Sequence, residues 1–150
     1  MRAVLQRVLS ADVTVDKNIV GKIDKGIVVL LGMHSNDDDK VIEYILDKIV
    51  NMRIFEDENE KMNLSLIDIK GELLIIPNFT LYGDARKGRR PGYSEGASPD
   101  EARKIFEKVI EKSKNLSLKK IEFGIFQADM LVNILNDGPV TLLLDSDRKF

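Results

Sequence analysis

A Gly-Pro pair set between two apolar, strand-like runs constrains this chain more than any other feature. Residues 131–135 and 140–144 flank the stretch Asn136-Asp137-Gly138-Pro139. Proline lacks an N–H and has a fixed φ, so Pro139 cannot simply continue a central strand. A bond preceding proline is also the only kind that turns cis at modest cost, and a glycine there tolerates unusual ψ. Two conformations answer to this pattern. One is a tight hairpin turn, for which Asn-Asp-Gly-Pro is strong turn chemistry. The other is a rigid backbone wall with its carbonyls directed at a ligand. The local sequence does not choose between them.

The rest of the chain supplies strands and two helices. Residues 3–8, 13–15 and 19–23 are rich in β-branched side chains, and residues 27–32 form a short, wholly apolar run typical of a buried strand. Asn36-Asp37-Asp38-Asp39 opens a helix whose apolar positions Val41, Ile42, Ile45, Leu46, Ile49 and Val50 share one face. Residues 56–63 read as a polar turn and 72–76 as another buried strand. Ser98-Pro99-Asp100-Glu101 starts the second helix, with Ser98 as N-cap, Pro99 at the first helical position and Glu101 completing a capping box. Its core stripe is Ala102, Ile105, Phe106, Val109 and Ile110. Residues 121–126, 131–135 and 140–144 return to strands. About eight strands that do not alternate regularly with two long helices predict an α+β fold with mixed or antiparallel β layers.

Composition bounds the function. At 150 residues the chain predicts one domain, 1–150, with a real core. With 23 basic against 25 acidic residues the net charge is −2, so any nucleic-acid contact comes from a local patch. The absence of cysteine excludes disulfides, thiolate nucleophiles and Cys-based zinc sites. No apolar run reaches membrane-spanning length, and the start reads as a strand rather than a signal peptide, which predicts a cytoplasmic protein without membrane contact.

Catalytic motifs are scarce. The single histidine, His34, precedes Ser35 directly, and such adjacency does not make a hydrolase triad. Asp37, Asp38 and Asp39 lack the glycine and spaced ligands of a calcium loop and suit the first turn of a helix, so no metal is assigned. No glycine-rich phosphate motif appears and no cofactor is expected. Two segments remain. Ile76-Pro77-Asn78-Phe79-Thr80-Leu81-Tyr82 follows a buried strand, where a strand end can present N–H groups and a hydroxyl, although Phe-Thr-Leu-Tyr is also plain strand composition. Residues 83–98 form a long aperiodic loop carrying Arg86, Lys87, Arg89 and Arg90, either a solvated charge run or a phosphate-binding patch.

Taken in order, Gln6-Arg7-Val8, Arg53-Ile54-Phe55, Met62-Asn63, Phe79-Thr80-Leu81, Gly96-Ala97-Ser98-Pro99, Ala128-Asp129-Met130 and Asn136-Asp137-Gly138-Pro139-Val140-Thr141 resemble the bacterial-type D-aminoacyl-tRNA deacylases. The resemblance covers essentially the whole chain. It implies a fold of two β layers and a helical layer, a homodimer with its active site at the subunit interface, and hydrolysis of the ester of D-aminoacyl-tRNA and glycyl-tRNA. It implies a cis bond between Gly138 and Pro139, acting as a chiral filter in the partner subunit's site, with Arg7 supporting that loop. Phe79 and Thr80 would line the reacting carbonyl, and Phe126, Ala128 and Met130 would border the adenosine pocket. The substrate's own 2′-OH assists, so no protein nucleophile is required; positioning and oxyanion stabilisation suffice.

One departure stands out. The family usually has Ser-Gln before Phe-Thr-Leu, whereas this chain has Pro77-Asn78, which removes a hydroxyl and a backbone N–H and shortens the amide side chain. Retained but slower catalysis is the expectation. Two other readings are open to the residues alone: a non-catalytic module holding tRNA ends on the patch from Arg86 to Arg90, and a hydrolase of small D-amino esters that ignores tRNA.

Overall fold

The computed structural model describes residues 1–149. The described residues form β1 (Arg2–Val15), β2 (Asn18–Ile23), β3 (Gly26–Gly32), α1 (Asp39–Asn51), β4 (Phe55–Glu56), β5 (Met62–Leu64), β6 (Glu72–Pro77), a 3-10 turn (Phe79–Tyr82), α2 (Pro99–Ser113), β7 (Lys120–Phe123) and β8 (Leu131–Asp145). Six strands build one mixed sheet in the order β2-β1-β3-β6-β7, with β8 laid along β1. Strands β2, β3 and β8 all run antiparallel to β1, while β3, β6 and β7 are mutually parallel. Parallel neighbours require a crossover, and the two crossovers here carry α1 and α2. The fold is α+β, as the spacing of strands and helices predicts.

Alternation along the buried strands feeds two cores. Ile27, Val29 and Leu31 of β3, with Leu73 and Ile75 of β6, face the helices and meet Ile42, Ile45, Ile49, Phe106 and Val109. Val28, Leu74 and Ile76 point the other way, onto Val8, Ala11, Val13 and Ile23. A strand covered on both faces has no position for a polar side chain, which explains the uninterrupted apolar runs. The second core lies inside the curl of the sheet. Strand β1 pairs with β3 over its first half and with β2 over its second. The sheet thereby closes toward a barrel, and Lys120 Nζ of β7 donates to the Lys22 carbonyl of β2 at 2.5 Å.

The helix signals correspond to real caps. Asp38 accepts from the Val41 N–H at 2.9 Å to start α1, and Glu101 accepts from both the N–H and the hydroxyl of Ser98 to start α2. At the start of the chain, the Met1 ammonium donates to Asp37 Oδ1 at 2.6 Å and to Ser146 Oγ at 2.7 Å, tying β1 to the lead-in of α1 and the end of β8. Two expectations change. Residues 3–8 and 13–15 belong to one long strand. Residues 131–135 and 140–144 likewise belong to the single strand β8, so the Gly-Pro pair is not a hairpin turn between strands.

Candidate active site

The pairing of β8 with β1 shifts register at two adjacent places, between Gln6 and Val8 and between Val8 and Ser10, and the first is the larger. Gln6 faces Thr141 and Val8 faces Asn136, so Arg7 alone stands opposite residues 137–140. The surplus backbone is extruded as a loop with Gly138 and Pro139 exposed at its tip, and the Gly138-Pro139 bond is cis. The segment is therefore not a hairpin turn but a loop extruded from a continuous strand. Asn136 closes its neck, donating through Nδ2 to the Arg7 carbonyl at 2.8 Å and to the Val140 carbonyl at 3.1 Å.

Arg7 lies beneath this loop, 5% exposed. Its Nη1 donates to the Ile54 carbonyl at 2.7 Å. Its Nε stands 2.9 Å from Asp137 Oδ2, but that N–H is not aimed along the contact, so the two groups form an ion pair rather than a linear hydrogen bond. Gly138 has φ +114, and a Cβ there would stand 2.8 Å from Val140 Cγ2 and 3.1 Å from Arg7 Nη2. Only glycine fits both that backbone and that space.

The second element is the 3-10 turn at Phe79–Tyr82, which follows Pro77 at the end of β6. The segment does not stay extended, because Asn78 caps it: Asn78 Oδ1 accepts from the Thr80 N–H at 3.2 Å and from the Thr80 hydroxyl. Asn78 itself is anchored by its N–H to the Leu31 carbonyl at 2.7 Å. Of the two N–H groups expected to face a reacting carbonyl, that of Thr80 is thus already engaged. That of Phe79 has no partner among the described residues. Behind the turn, Tyr82 is buried under the Arg2 guanidinium, which sits 4.4 Å from the ring centroid. Burial, reinforced by the Asp37 carboxylate, pushes the Tyr82 hydroxyl well above the usual phenol range.

The segment 124–130 starts against the end of β6 that leads into this turn, with the Gly124 N–H donating to the Ile75 carbonyl at 2.9 Å. A Cβ on Gly124 would stand 2.8 Å from Met130 Sδ and 3.2 Å from Pro77 Cδ, so Met130 and Pro77 share the space over Gly124. Phe126 stacks on Phe106 of α2 at 6.2 Å between centroids. Arg103 of α2 places its guanidinium 4.9 Å from the Phe126 centroid and donates to Gln127. Ala128 is anchored by its N–H to the Ile125 carbonyl at 3.3 Å.

The basic loop is a hairpin-like clasp closed by Asp84 and Gly92, whose N–H and carbonyl groups exchange hydrogen bonds of 2.7 and 2.9 Å. Its four cations are not equivalent. Arg86 is held by Asp84 through Nε and Nη2, both at 2.8 Å. That grip keeps the Asp84 carboxyl at about 2 and raises Arg86. Lys87, Arg89 and Arg90 make no ion pair among the described residues and are exposed.

The expected site residues fall into two groups: Arg7 with the loop at 138–139, and Phe79 and Thr80 in the turn that follows Pro77, which Met130 neighbours over Gly124. The structure does not bring the two groups together within one chain. Arg7 pairs with Ile27, whereas Pro77 pairs with Leu31, four residues further along β3 and roughly 13 Å away at strand rise. Sequence reasoning missed the structural parts played by Asn136, Asp137 and Asn78. Their signal was present, since Asn and Asp beside Gly-Pro, or before a turn, are the residues that bond to nearby backbone.

The comparisons agree with this geometry. Residues 4–145 match the family described as D-Tyr-tRNA(Tyr) deacylase. The chain is 58% identical over 150 residues to a D-aminoacyl-tRNA deacylase of Thermosipho africanus, covering 100% of both. It is 55% identical over 150 residues to one of Clostridioides difficile, again covering 100% of both. A solved structure described as the c-Myc DNA Unwinding Element Binding Protein superposes with a TM-score of 0.91 at 38% identity, covering 97% of this chain and 98% of that one. A match that runs through both groups of site residues, together with full-length identity of this degree, leads to one conclusion: the chain belongs to the D-Tyr-tRNA(Tyr) deacylase family.

Proposed function

We propose that this chain hydrolyses D-aminoacyl-tRNA, and glycyl-tRNA with it, to free amino acid and tRNA while rejecting L-aminoacyl-tRNA. Its relatives bear the name D-aminoacyl-tRNA deacylase along their full length, and the extruded Gly138-Pro139 loop is the observation that carries the stereochemical part. A backbone wall braced by Arg7 leaves no space to yield to an L side chain, whereas a D side chain points away and glycine has none.

In this reading the site spans two subunits of a homodimer. The separation of residues 138–139 from residues 79–80 within one chain supports that assignment. So does the outer face of β8, where Leu131, Leu135 and Leu143 are exposed beside Leu9 of β1 on a strand paired along only one edge. The partner's Gly138-Pro139 loop then faces Phe79 and Thr80.

Water adds to the ester carbonyl carbon, and the Phe79 N–H donates to the oxygen as it gains charge. The bond to the ribose 3′ oxygen breaks, and that oxygen takes its proton from the neighbouring 2′-OH, which recovers one from the attacking water. Thr80, its hydroxyl hydrogen committed to Asn78, offers lone pairs to the substrate's donors. Phe126, Ala128 and Met130 border the adenosine, and Lys87, Arg89 and Arg90 meet phosphates. The described residues contain no helix long and apolar enough to cross a membrane, and the reading places the protein in the cytoplasm as a single deacylase domain.

The test is release of amino acid from D-Tyr-tRNA, L-Tyr-tRNA and Gly-tRNA. Turnover of the first and third with the second left intact is expected. Equal release from the D and L forms, or binding without release, overturns the proposal. Sedimentation of a Leu135→Asp, Leu143→Asp variant tests the dimer: a folded but inactive monomer is expected, and a folded, fully active monomer would refute a shared site.

A further inference from the structure

Two large aromatic side chains stand exposed beside the proposed reaction centre. Phe79 is 63% exposed and Tyr93 is 43% exposed, and their rings meet edge to face with centroids 5.1 Å apart. Exposed aromatic rings beside a reaction centre present a large apolar area to whatever ligand enters it. Here the clasp between Asp84 and Gly92 holds Tyr93 at the base of the basic loop, while Lys87, Arg89 and Arg90 occupy its tip without partners among the described residues.

From this juxtaposition we infer that Phe79 and Tyr93 form a stacking platform for an unpaired RNA base, the one preceding the terminal adenosine. The inference rests on the reading of the chain as a tRNA-ester hydrolase. An exposed aromatic pair flanked by unpaired cations has the chemistry of a single-strand binding groove, in which a base stacks on one ring and the backbone tracks positive charge. The geometry also selects the position along the strand. Phe79 supplies the N–H proposed for the ester carbonyl, so the base stacked against its ring and Tyr93 belongs to a nucleotide close to that ester. Met130, over Gly124 beside Pro77, is left to border the adenosine in the proposed site. Recognition by stacking is tolerant of base identity, which suits an enzyme that meets many tRNAs sharing one single-stranded 3′ end.

Binding of short, uncharged RNA tests the platform without depending on turnover. Fluorescence titration would compare adenosine 5′-monophosphate with the single strands CA and CCA, using wild type and the variants Tyr93→Phe, Tyr93→Leu and Tyr93→Ala. In wild type, lengthening the ligand from the mononucleotide to CA should improve affinity by about tenfold or more, the worth of one stacked base. Tyr93→Phe should keep that gain, while Tyr93→Leu and Tyr93→Ala should abolish it. A gain that survives in Tyr93→Leu shows generic packing, and one that survives in Tyr93→Ala shows no platform; either outcome overturns the inference, as does the absence of any gain in wild type. Failure of the deacylase reading would instead appear as intact D-Tyr-tRNA in the wild-type turnover assay.

Discussion

Arg7 and Asp137 meet at 2.9 Å directly under the loop that Asp137 begins, so the guanidinium is both the floor of the loop and its counter-charge. Arg7 is 5% exposed and also holds the Ile54 carbonyl. Removing it strands the Asp137 carboxylate and the Ile54 carbonyl together. Breaking a fully buried pair costs on the order of 3 kcal/mol, and because the Asp137 side chain is 32% exposed the cost here should be smaller. Arg7→Met should therefore lower the melting temperature clearly and raise hydrolysis of L-Tyr-tRNA relative to D-Tyr-tRNA. Calorimetry and the two substrate assays, done on the same preparation, check both halves.

Gly138→Ala isolates the loop from its support. The φ of +114 and the 2.8 Å approach to Val140 Cγ2 leave no place for a methyl group, and a non-glycine residue in such a region costs about 1–3 kcal/mol. Because the clash is local to an exposed loop tip, the fold should persist while the loop shifts. The expected outcome is a ratio of D to L hydrolysis that falls by about tenfold, with circular dichroism unchanged.

Asn78 occupies the Thr80 N–H, so under the proposed mechanism it should restrain catalysis in this chain. A glutamine at that position is one methylene too long for the same local turn, so Asn78→Gln should release the N–H as a second donor to the oxyanion. One such donor is worth roughly 100-fold or more where it has been removed from other enzymes. Even partial recovery predicts a rise in kcat of about tenfold, larger still with Pro77→Ser. A single-turnover rate on D-Tyr-tRNA decides it, and an unchanged rate means that the Phe79 N–H suffices.

The basic loop should show unequal arginines. Lys87, Arg89 and Arg90 are unpaired among the described residues, whereas Arg86 is neutralised by Asp84. For single-stranded RNA the salt slope changes by about 0.7 per phosphate contact. The triple variant Lys87→Ala, Arg89→Ala, Arg90→Ala should flatten the slope of log affinity against log salt by about two. Arg86→Ala should barely move it. Titrations across a range of potassium chloride concentrations measure both.

Tyr82 gives the fold an alkaline limit. Its pKa is raised on folding, chiefly by burial, so its contribution to stability is complete below the ordinary phenol value near 10 and is lost as pH rises above it. No hydrogen bond involves its hydroxyl among the described residues. Tyr82→Phe should thus match wild type at pH 7 and outlast it above pH 10. Thermal melts from pH 7 to 11 test the sign.

Much of this architecture is legible in the sequence, and the rest is hidden for physical reasons. Ser98, Pro99 and Glu101 announce α2 because capping is a local interaction. The run from Ile27 to Leu31 announces a strand buried on both faces. By contrast, Phe-Thr-Leu-Tyr looks like strand and folds as a 3-10 turn, since one side-chain oxygen of Asn78 outweighs β propensity. The continuity of β8 through Gly138-Pro139 was equally unreadable, because what restores pairing beyond the loop is β1, more than a hundred residues away. Within the site, the residue types were visible from their resemblance to a family. The engagement of the Thr80 N–H and the inequality of the four cations were not, since both depend on which neighbour a side chain finds.

The extruded loop on β8 has strand pairing on either side of it, at Thr141 and at Asn136. It therefore has no hinge of its own, and its position is a property of the whole β1–β8 ribbon. With the loop as the proposed chiral wall, stereochemical fidelity becomes a mechanical quantity: the error rate between mirror-image substrates should report how stiffly two strands hold together, and warming or a distant change that loosens the ribbon should blur handedness before it slows the reaction.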